Sequence, residues 1–221
     1  MKSYDWSKLE TVLLDMDGTL LDLAFDNYFW LELIPREYAK KHQLTQPQAT
    51  RFLKDLYHNH YGTLNWYCTD FWSEQMQLDV VAIKSQVAEK VEYRTGTLEF
   101  LKQAKADNKK LYLVTNAHPD TLRIKLERKD FSPYFDELLS SHDTGYPKEN
   151  MKFWNFIKKR WCFNSASTLF VDDSPTILQT AKSFGIGAVY GVSHPDSSKA
   201  PIEHRDFPLV NRLTELLEYS R

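Results

Sequence analysis

From about residue 94 onward, stretches with helical periodicity alternate with short apolar runs, and this alternation limits the possible folds more than any other feature. An earlier apolar run, 11–14, ends abruptly in acidic residues and a glycine, as a buried strand does. Alternating strands and helices form parallel sheets through right-handed crossovers. We therefore predict an α/β fold with a Rossmann-like parallel sheet sandwiched by helices. The predicted later strands are 110–114, 137–140, 168–171 and 187–190, and the predicted helices are 97–107, 119–129, 150–161 and 176–184.

The segment between the first strand and the alternating region has only helical periodicity. Thr45 with Gln48 three residues later is typical of a capping box that opens a helix. Asp79 is a second predicted cap, before apolar residues at 80, 83, 87 and 91. We therefore predict a core domain formed by 1–23 and 94–221, with an α-helical cap domain, 24–93, inserted after the first strand.

Composition and charge exclude several classes of partner. The chain has 28 Lys and Arg residues against 30 Asp and Glu residues, a net charge of −2, and no basic run long enough to bind nucleic acid. No apolar stretch reaches the ~18 residues of a membrane span, and no export leader is recognisable.

Cys68 and Cys162 are far apart and are expected to be buried apolar residues without a disulfide. We expect a cytoplasmic protein with no membrane partner. The sequence indicates no oligomeric state, and 193–208 is predicted to be an irregular surface tail.

Polar side chains follow the predicted strands at the points where the strands end. The carboxyl ends of parallel strands meet at one edge of a sheet, where ligands bind in α/β folds. We therefore expect these side chains to converge on one rim. They are Asp15 and Asp17 after the first strand, Thr115 and Asn116 after the second, Lys148 past the third, and Asp172 and Asp173 after the fourth.

The residue types on this rim favour a metal ion and a phosphoryl group. Converging carboxylates repel one another, and a hard cation such as Mg²⁺, which prefers oxygen ligands, resolves the repulsion. Asp15 and Asp173 are the predicted direct side-chain ligands, whereas Asp172 is expected to act through water or by orienting its neighbours. Thr115 and Lys148 are hydrogen-bond donors suited to the outer oxygens of a phosphoryl group.

Asp15 and Asp17 lie two residues apart, a spacing that puts both on one face while the chain stays extended. Two carboxylates in one place can divide a reaction between them. Asp15, at the strand end, is the predicted nucleophile that attacks phosphorus. Asp17 is the predicted acid and base, which protonates the leaving oxygen and later accepts a proton from water.

The sequence Asp15-Met16-Asp17-Gly18-Thr19, followed in order by Thr115, Lys148 and Asp172-Asp173, resembles the four signature motifs of haloacid dehalogenase-like phosphatases. The resemblance spans nearly the whole chain, including the helical insertion. It implies Asp15 as nucleophile, Asp17 as acid and base with its backbone carbonyl on Mg²⁺, Asp173 on Mg²⁺, and Thr115 and Lys148 on phosphate. Because haloacid dehalogenases lack the second aspartate of the first motif, Asp17 indicates phosphate esters.

A narrower resemblance, to bacterial GMP/IMP 5′-nucleotidases, is carried by the segments 21–30, 63–67, 115–119 and 145–149. It implies hydrolysis of purine nucleoside monophosphates to nucleoside and phosphate. We predict phosphate binding by Thr115, Asn116 and Lys148. The predicted metal ligands are Asp15, Asp17, Asp172 and Asp173. Aromatic residues of the insertion could stack on the purine, although they could equally form the core of the insertion; they are Trp30, Tyr57, Trp66, Tyr67, Phe71 and Trp72. Asn27 or Asn65 could read the edge of the base.

Two alternatives remain open from the sequence. The first is a sugar-phosphate or phosphoglycolate phosphatase, or a phosphomutase, with the same core and a different cap. The second is a phosphoacceptor signalling module, which also uses an aspartate acceptor, an acidic pair, a threonine and a lysine around Mg²⁺. In such modules the acidic pair comes first in the chain, whereas Asp172-Asp173 comes last here. His118 and His142, near the rim, are expected to be structural.

Overall fold

The computed structural model describes residues 4–203 and 206–218 of the chain. Within these residues the strands are β1 (Thr11–Leu14), β2 (Lys110–Thr115), β3 (Glu137–Ser140), β4 (Thr168–Asp172), β5 (Ala188–Val192) and β6 (Leu209–Val210). They form one sheet in the order β3-β2-β1-β4-β5-β6, and every neighbouring pair is parallel. The structure therefore confirms the predicted parallel α/β architecture, with β1 inside the sheet.

From residue 24 to residue 93 the chain is almost entirely helical, as predicted. The helices are α1 (Ala24–Tyr28), α2 (Ile34–His42), α3 (Gln46–His58), α4 (Thr69–Met76) and α5 (Val80–Gln86). A π-helical turn, Phe29–Leu33, joins α1 to α2 without a break. The predicted caps are present, since Thr45 and Gln48 open α3 and the Asp79 carboxylate accepts from the N–H of Ala82 at 2.8 Å.

The remaining helices cover both faces of the sheet. They are α6 (Thr97–Ala106), α7 (Pro119–Arg128), α8 (Ser141–Thr144), α9 (Met151–Trp161) and α10 (Pro175–Phe184). Successive side chains of a strand point to opposite faces. Val12 and Leu14 thus pack in one buried cluster with Phe100 of α6, whereas Leu13 packs in another with Trp154 of α9. This alternation fixes which side of the sheet each helix covers.

The helical insertion (residues 24–93) has an apolar cluster of its own, which includes Phe29, Leu53 and Trp72. Burial of such large side chains stabilises the insertion beside the sheet. The division into a core and a cap domain at these boundaries remains a prediction. Among the described residues, none of the helices combines the length and the apolar character needed to cross a bilayer.

Some sequence expectations were wrong in detail. The helix after Asp79 ends at Gln86 instead of continuing to Val91, and a short 3₁₀ turn, Ala88–Lys90, follows it. Cys68 is only partly buried and Cys162 is exposed, so neither is the buried apolar residue that we expected. Both are free thiols, in agreement with the absence of a predicted disulfide.

The described residues of the segment 193–208 are irregular, as predicted, but they form more than a surface tail. Asp196 is buried, and its carboxylate accepts a hydrogen bond from the side chain of Asn27 in α1 at 2.6 Å. The Pro195 carbonyl accepts from the N–H of Leu23. His204 and Arg205, which belong to the same predicted tail, lie outside the described residues. The tail therefore ties the beginning of the insertion to the end of the sheet.

Candidate active site

The structure brings the ends of β1, β2 and β4 and the loop before α9 to one rim of the sheet. Asp15 follows β1 and its N–H donates to the Val171 carbonyl at 3.0 Å, which continues the ladder to β4. Thr115 ends β2 and Asp172 ends β4. Lys148, from the loop after α8, reaches the same point. All four side chains are buried.

Lys148 is the cation at the centre of this rim. Its Nζ donates to Asp15 Oδ1, to Asp172 Oδ2 at 2.7 Å and to the Val114 carbonyl at 3.1 Å. Burial opposes the charged form of this lysine, but the carboxylates of Asp15 and Asp172 outweigh it and raise the pKa of Lys148. The second oxygen of Asp172 accepts from the N–H of Ser174 at 2.8 Å. Asp172 therefore orients Lys148 and the start of α10.

Three carboxylates on the rim are arranged so that they can hold a divalent cation. Asp15, Asp172 and Asp173 each offer an oxygen within 4.8 Å of the others. Burial and then the charges of Asp172 and Asp15 raise the pKa of Asp173 well above its usual range. Gly18 makes room for this carboxylate, because a Cβ on Gly18 would lie 2.6 Å from Asp173 Oδ2. Oxygen donors with uncompensated negative charge fit Mg²⁺.

Thr115 presents a hydroxyl beside Asp15. Its Oγ1 accepts a hydrogen bond from the N–H of Ala117 at 3.0 Å, which leaves the hydroxyl proton for an acceptor on a ligand. The amide of Asn116 is used differently, because Oδ1 accepts from the Lys148 N–H at 2.9 Å and Nδ2 donates to Glu149 at 2.9 Å. The side chain of Asn116 thus positions the Lys148 loop.

The side chain of Asp17 contacts a chain of buried charges. Lys125 Nζ lies 2.5 Å from Asp17 Oδ1 and 2.5 Å from Asp26 Oδ2, and Lys84 Nζ lies 2.8 Å from Asp26 Oδ1. Lys84 and Lys125 are both almost fully buried. Asp17 is therefore connected through Lys125 and Asp26 to α5 of the insertion.

The surroundings of Asp17 favour its protonated form. Removal from water raises the pKa of Asp17, Lys125 lowers it, and the carboxylates of Asp26 and Asp15 raise it again, with a net increase. Asp26 is the opposite case, because Lys125 and Lys84 overcome burial and hold its pKa well below the usual range. Asp17 can therefore exchange a proton under conditions where Asp26 stays ionised.

Sequence reasoning missed Lys84, Lys125 and Asp26. A signal was present, since Lys125 lies four residues after Thr121 on the buried face of α7, and Lys84 lies four residues after Val80 on the buried face of α5. A lysine at a position that helical periodicity assigns to the interior requires a buried anionic partner. That partner was not identifiable without the fold.

A cavity of about 380 Å³ lies between the rim and the helical insertion. One wall carries Asp15, Thr115 and Lys148, and Asn27 also lines the cavity. The opposite wall is aromatic, and of the six aromatic candidates it contains all but Phe71; these residues are Trp30, Tyr57, Trp66, Tyr67 and Trp72. Asn65 is not among the lining residues. The aromatic residues thus both pack within the insertion and face the rim.

A hydrogen-bonded bridge connects the two walls. The Tyr67 hydroxyl donates to Glu149 Oε1 at 2.6 Å, and Glu149 Oε2 accepts from Asn116. Tyr67 belongs to the insertion, whereas Glu149 follows Lys148 directly. The position of the aromatic wall is thus coupled to the loop that carries Lys148.

Comparison with known proteins agrees with this geometry. The family model described as haloacid dehalogenase-like hydrolase matches residues 9–185. The chain is 43% identical over 212 residues to the GMP/IMP nucleotidase YrfG of Escherichia coli, an alignment that covers 96% of each chain. It is 22% identical over 213 residues to a phosphorylated carbohydrates phosphatase of Thermotoga maritima, which covers 91% of this chain and 94% of that protein.

A crystal structure of a HAD phosphatase from Thermococcus onnurineus has the same fold, with a TM-score of 0.78 at 20% sequence identity. The superposition covers 95% of this chain and 97% of the other. The sheet, the rim and the helical insertion are therefore all parts of an architecture that a solved structure shares.

Proposed function

This chain belongs to the haloacid dehalogenase-like hydrolase family, and from that membership and its site geometry we propose that it is a Mg²⁺-dependent phosphomonoesterase acting on purine nucleoside monophosphates such as GMP and IMP. The observation that carries the proposal is the position of Asp15. Its carboxylate is held by Lys148 at Oδ1 and borders the cavity, where a substrate phosphate would meet it.

In the proposed reaction, Asp15 Oδ2 attacks phosphorus, a bond to the aspartyl oxygen forms, and the bond from phosphorus to the ester oxygen of the nucleoside breaks. Asp17 gives its proton to that leaving oxygen. In the second step Asp17 accepts a proton from a water molecule as the water oxygen attacks phosphorus. The bond from phosphorus to the aspartyl oxygen then breaks, which releases inorganic phosphate and restores the Asp15 carboxylate. The raised pKa of Asp17 supports this role, because a group that alternates between donor and acceptor works best near the operating pH.

Thr115 and Lys148 are suited to the oxygens that remain on phosphorus. The free hydroxyl proton of Thr115 and the ammonium of Lys148 are donors of the kind that stabilise developing charge in phosphoryl transfer. We propose Asp15, Asp172 and Asp173, with the backbone carbonyl of Asp17, as the Mg²⁺ site. When bound there, Mg²⁺ would neutralise phosphate charge that the carboxylates otherwise repel.

The aromatic wall supports a purine as the group carried by the phosphate. Trp30 and Trp66 line the cavity that the rim also lines, and stacking on an aromatic ring tolerates either purine. The nucleotidase YrfG, which shares 43% of its residues with this chain, is named for GMP and IMP. A sugar-phosphate or phosphoglycolate phosphatase, or a phosphomutase, is the second candidate. The relative named as a phosphorylated carbohydrates phosphatase favours it at lower identity.

A panel of phosphate esters tests the proposal. Initial rates of phosphate release are measured with IMP, GMP, a hexose phosphate and phosphoglycolate, with Mg²⁺ and with chelator. We expect kcat/KM for IMP and GMP to exceed the values for the other esters by at least about tenfold, or about 1.4 kcal/mol. Asp15→Asn is expected to be inactive, and Asp55→Asn, an exposed aspartate of α3, is the control. Equal rates for sugar phosphates would refute the nucleotide assignment, and a long-lived phosphorylated protein without turnover would favour the signalling alternative.

A further inference from the structure

Cys68, His118 and His142 meet where the helical insertion contacts the sheet domain. Cys68 precedes α4 of the insertion, His118 precedes α7, and His142 lies in α8. The Cys68 Sγ and one ring nitrogen of each histidine all lie within 4.8 Å of one another. Three segments far apart along the chain thus deliver one sulfur and two nitrogen donors to one place.

The rings of His118 and His142 are positioned for metal binding. His142 Nε2 is buried, and within residues 4–203 and 206–218 it has no hydrogen-bond partner. The Thr69 hydroxyl lies 2.8 Å from Nδ1 of His118 and fixes the orientation of that ring. A ring held at one nitrogen by a hydrogen bond is oriented to present its other nitrogen to a metal.

We propose that Cys68, His118 and His142 form a binding site for a thiophilic divalent transition metal such as Zn²⁺, and that the bound metal clamps the helical insertion to the sheet. Thiolate and imidazole ligands select Zn²⁺ over Mg²⁺, which prefers oxygen. This site therefore differs in chemistry from the three-carboxylate group at Asp15.

The geometry is close to what tetrahedral zinc requires. With a Zn–S distance of about 2.3 Å and Zn–N distances of about 2.0–2.1 Å, tetrahedral ligand atoms lie about 3.3–3.6 Å apart. The present atoms lie within 4.8 Å of one another, so they must approach by at most about 1.5 Å, which side-chain rotation can supply. A fourth ligand is available, because the Asp70 carboxylate lies 3.7 Å from Nε2 of His118 and is exposed to solvent. Cys68 can bind without leaving its turn, since among the residues that the structure describes the only hydrogen bond to its Sγ comes from the N–H of Phe71 at 3.4 Å.

A metal in this position would act on the cavity. Tyr67 and Ala117, which line the cavity, are the direct chain neighbours of Cys68 and His118. A bond network from one wall to the other would hold the walls together and slow their separation. The metal-binding part of the inference is independent of the proposed phosphatase reaction, because it uses none of the rim carboxylates.

Zn²⁺ binding measured by equilibrium dialysis in the presence of excess Mg²⁺ tests the site. We expect one equivalent of tightly bound Zn²⁺ in the native protein, and a loss of affinity of about 100-fold or more in Cys68→Ser and in His142→Gln, since even an outer-shell change alters metal affinity by about 10–100-fold. Cys162→Ser and His58→Asn, which alter an exposed cysteine and an exposed histidine elsewhere, are the matched controls and should bind Zn²⁺ as the native protein does.

Co²⁺ serves as a spectroscopic probe that does not depend on phosphatase activity. We expect a thiolate-to-Co²⁺ charge-transfer band in the native protein and in Cys162→Ser, and its absence in Cys68→Ser. Circular dichroism of each variant shows whether it is folded. Unchanged Zn²⁺ affinity in folded Cys68→Ser, or a Co²⁺ complex of the native protein without the thiolate band, would overturn the proposal.

Discussion

Asp26 connects the helical insertion to Asp17 through two buried lysines, and the substitution Asp26→Asn tests this connection. The substituted amide would keep the shape of the side chain but lose its charge. Lys84 would then lose the carboxylate 2.8 Å from its Nζ, while Lys125 would keep Asp17 at 2.5 Å. Removing one partner of a buried ion pair costs about 3–5 kcal/mol, because the other charge is left uncompensated. We expect Asp26→Asn to reduce the free energy of unfolding by that amount.

The substitution Lys84→Met separates the loss of charge from the loss of packing. Lys84 lies over the rings of Phe25, Phe29 and Trp30, so a methionine can fill its space. Because Asp26 keeps its ion pair with Lys125 in this variant, we expect a smaller loss of unfolding free energy, about 1–2 kcal/mol. In the double variant no uncompensated ammonium remains at position 84. The double variant should therefore lose less unfolding free energy than the two single variants together, by about 1–3 kcal/mol.

The pH dependence of these differences has a definite sign. The pKa of Asp26 in the folded protein is below its usual value, so its stabilisation is fully present above the pKa of the unfolded state and is lost as the pH falls through the folded value. The difference between the native protein and Asp26→Asn should therefore not shrink between about pH 7 and about pH 5, where Asp26 stays ionised, and should shrink only below about pH 4.

Urea denaturation followed by circular dichroism, with chelator present, measures these free energies. Asp55→Asn, at an exposed position of α3, should stay within about 0.5 kcal/mol of the native protein. The buried charge chain would be contradicted if Asp26→Asn lost less than about 1 kcal/mol of unfolding free energy, or if the losses of the two single variants simply added in the double variant. It would also be contradicted if the difference in unfolding free energy between the native protein and Asp26→Asn shrank between about pH 7 and about pH 5.

Three further outcomes follow from the cavity and the tail. Trp66→Leu should lower kcat/KM for IMP by roughly 2–10-fold, the effect of an aromatic contact of about 0.5–1.5 kcal/mol, while phosphoglycolate hydrolysis changes little. Tyr67→Phe should lower the free energy of unfolding in urea by about 1–3 kcal/mol, because the hydrogen bond to the Glu149 side chain is lost. Asp196→Asn should lower the free energy of unfolding, measured by thermal denaturation at neutral pH, by about 2 kcal/mol. The difference between this variant and the native protein should vanish as the pH falls from about 4 toward 2. The reason is that hydrogen bonds from Ser198, Lys199 and Asn27 overcome burial and hold the pKa of Asp196 at about 2.

The rim could be predicted from sequence because it depends on topology. Once strands and helices alternate, the carboxyl ends of the strands must lie along one edge, so Asp15, Thr115 and Asp172 had to converge. The same reasoning placed Lys148 on the rim, because its loop follows the third strand. Local patterns also sufficed for the cap of α3 at Thr45.

Features that depend on a distant partner were not predictable in this way. Lys84 and Lys125 are buried only because the fold places Asp26 between them, and a lysine on a helix is otherwise expected at the surface. The strand β6 has two residues and therefore no periodicity of its own. Burial of Asp196 likewise depends on Asn27, 169 positions earlier in the chain.

The identity of the nucleophile is tested most directly by trapping the covalent intermediate. Asp17→Asn is mixed with a radiolabelled aryl phosphate, whose leaving group departs without a proton from Asp17, quenched in acid within one turnover and digested. Because proton transfer by Asp17 contributes typically about 10²–10⁴-fold, the variant should hydrolyse the intermediate slowly and let it accumulate. We expect the label on the peptide that contains Asp15, and none in the variant that also carries Asp15→Asn. Label on another residue, or steady phosphate release by Asp15→Asn alone, would show that Asp15 does not attack phosphorus.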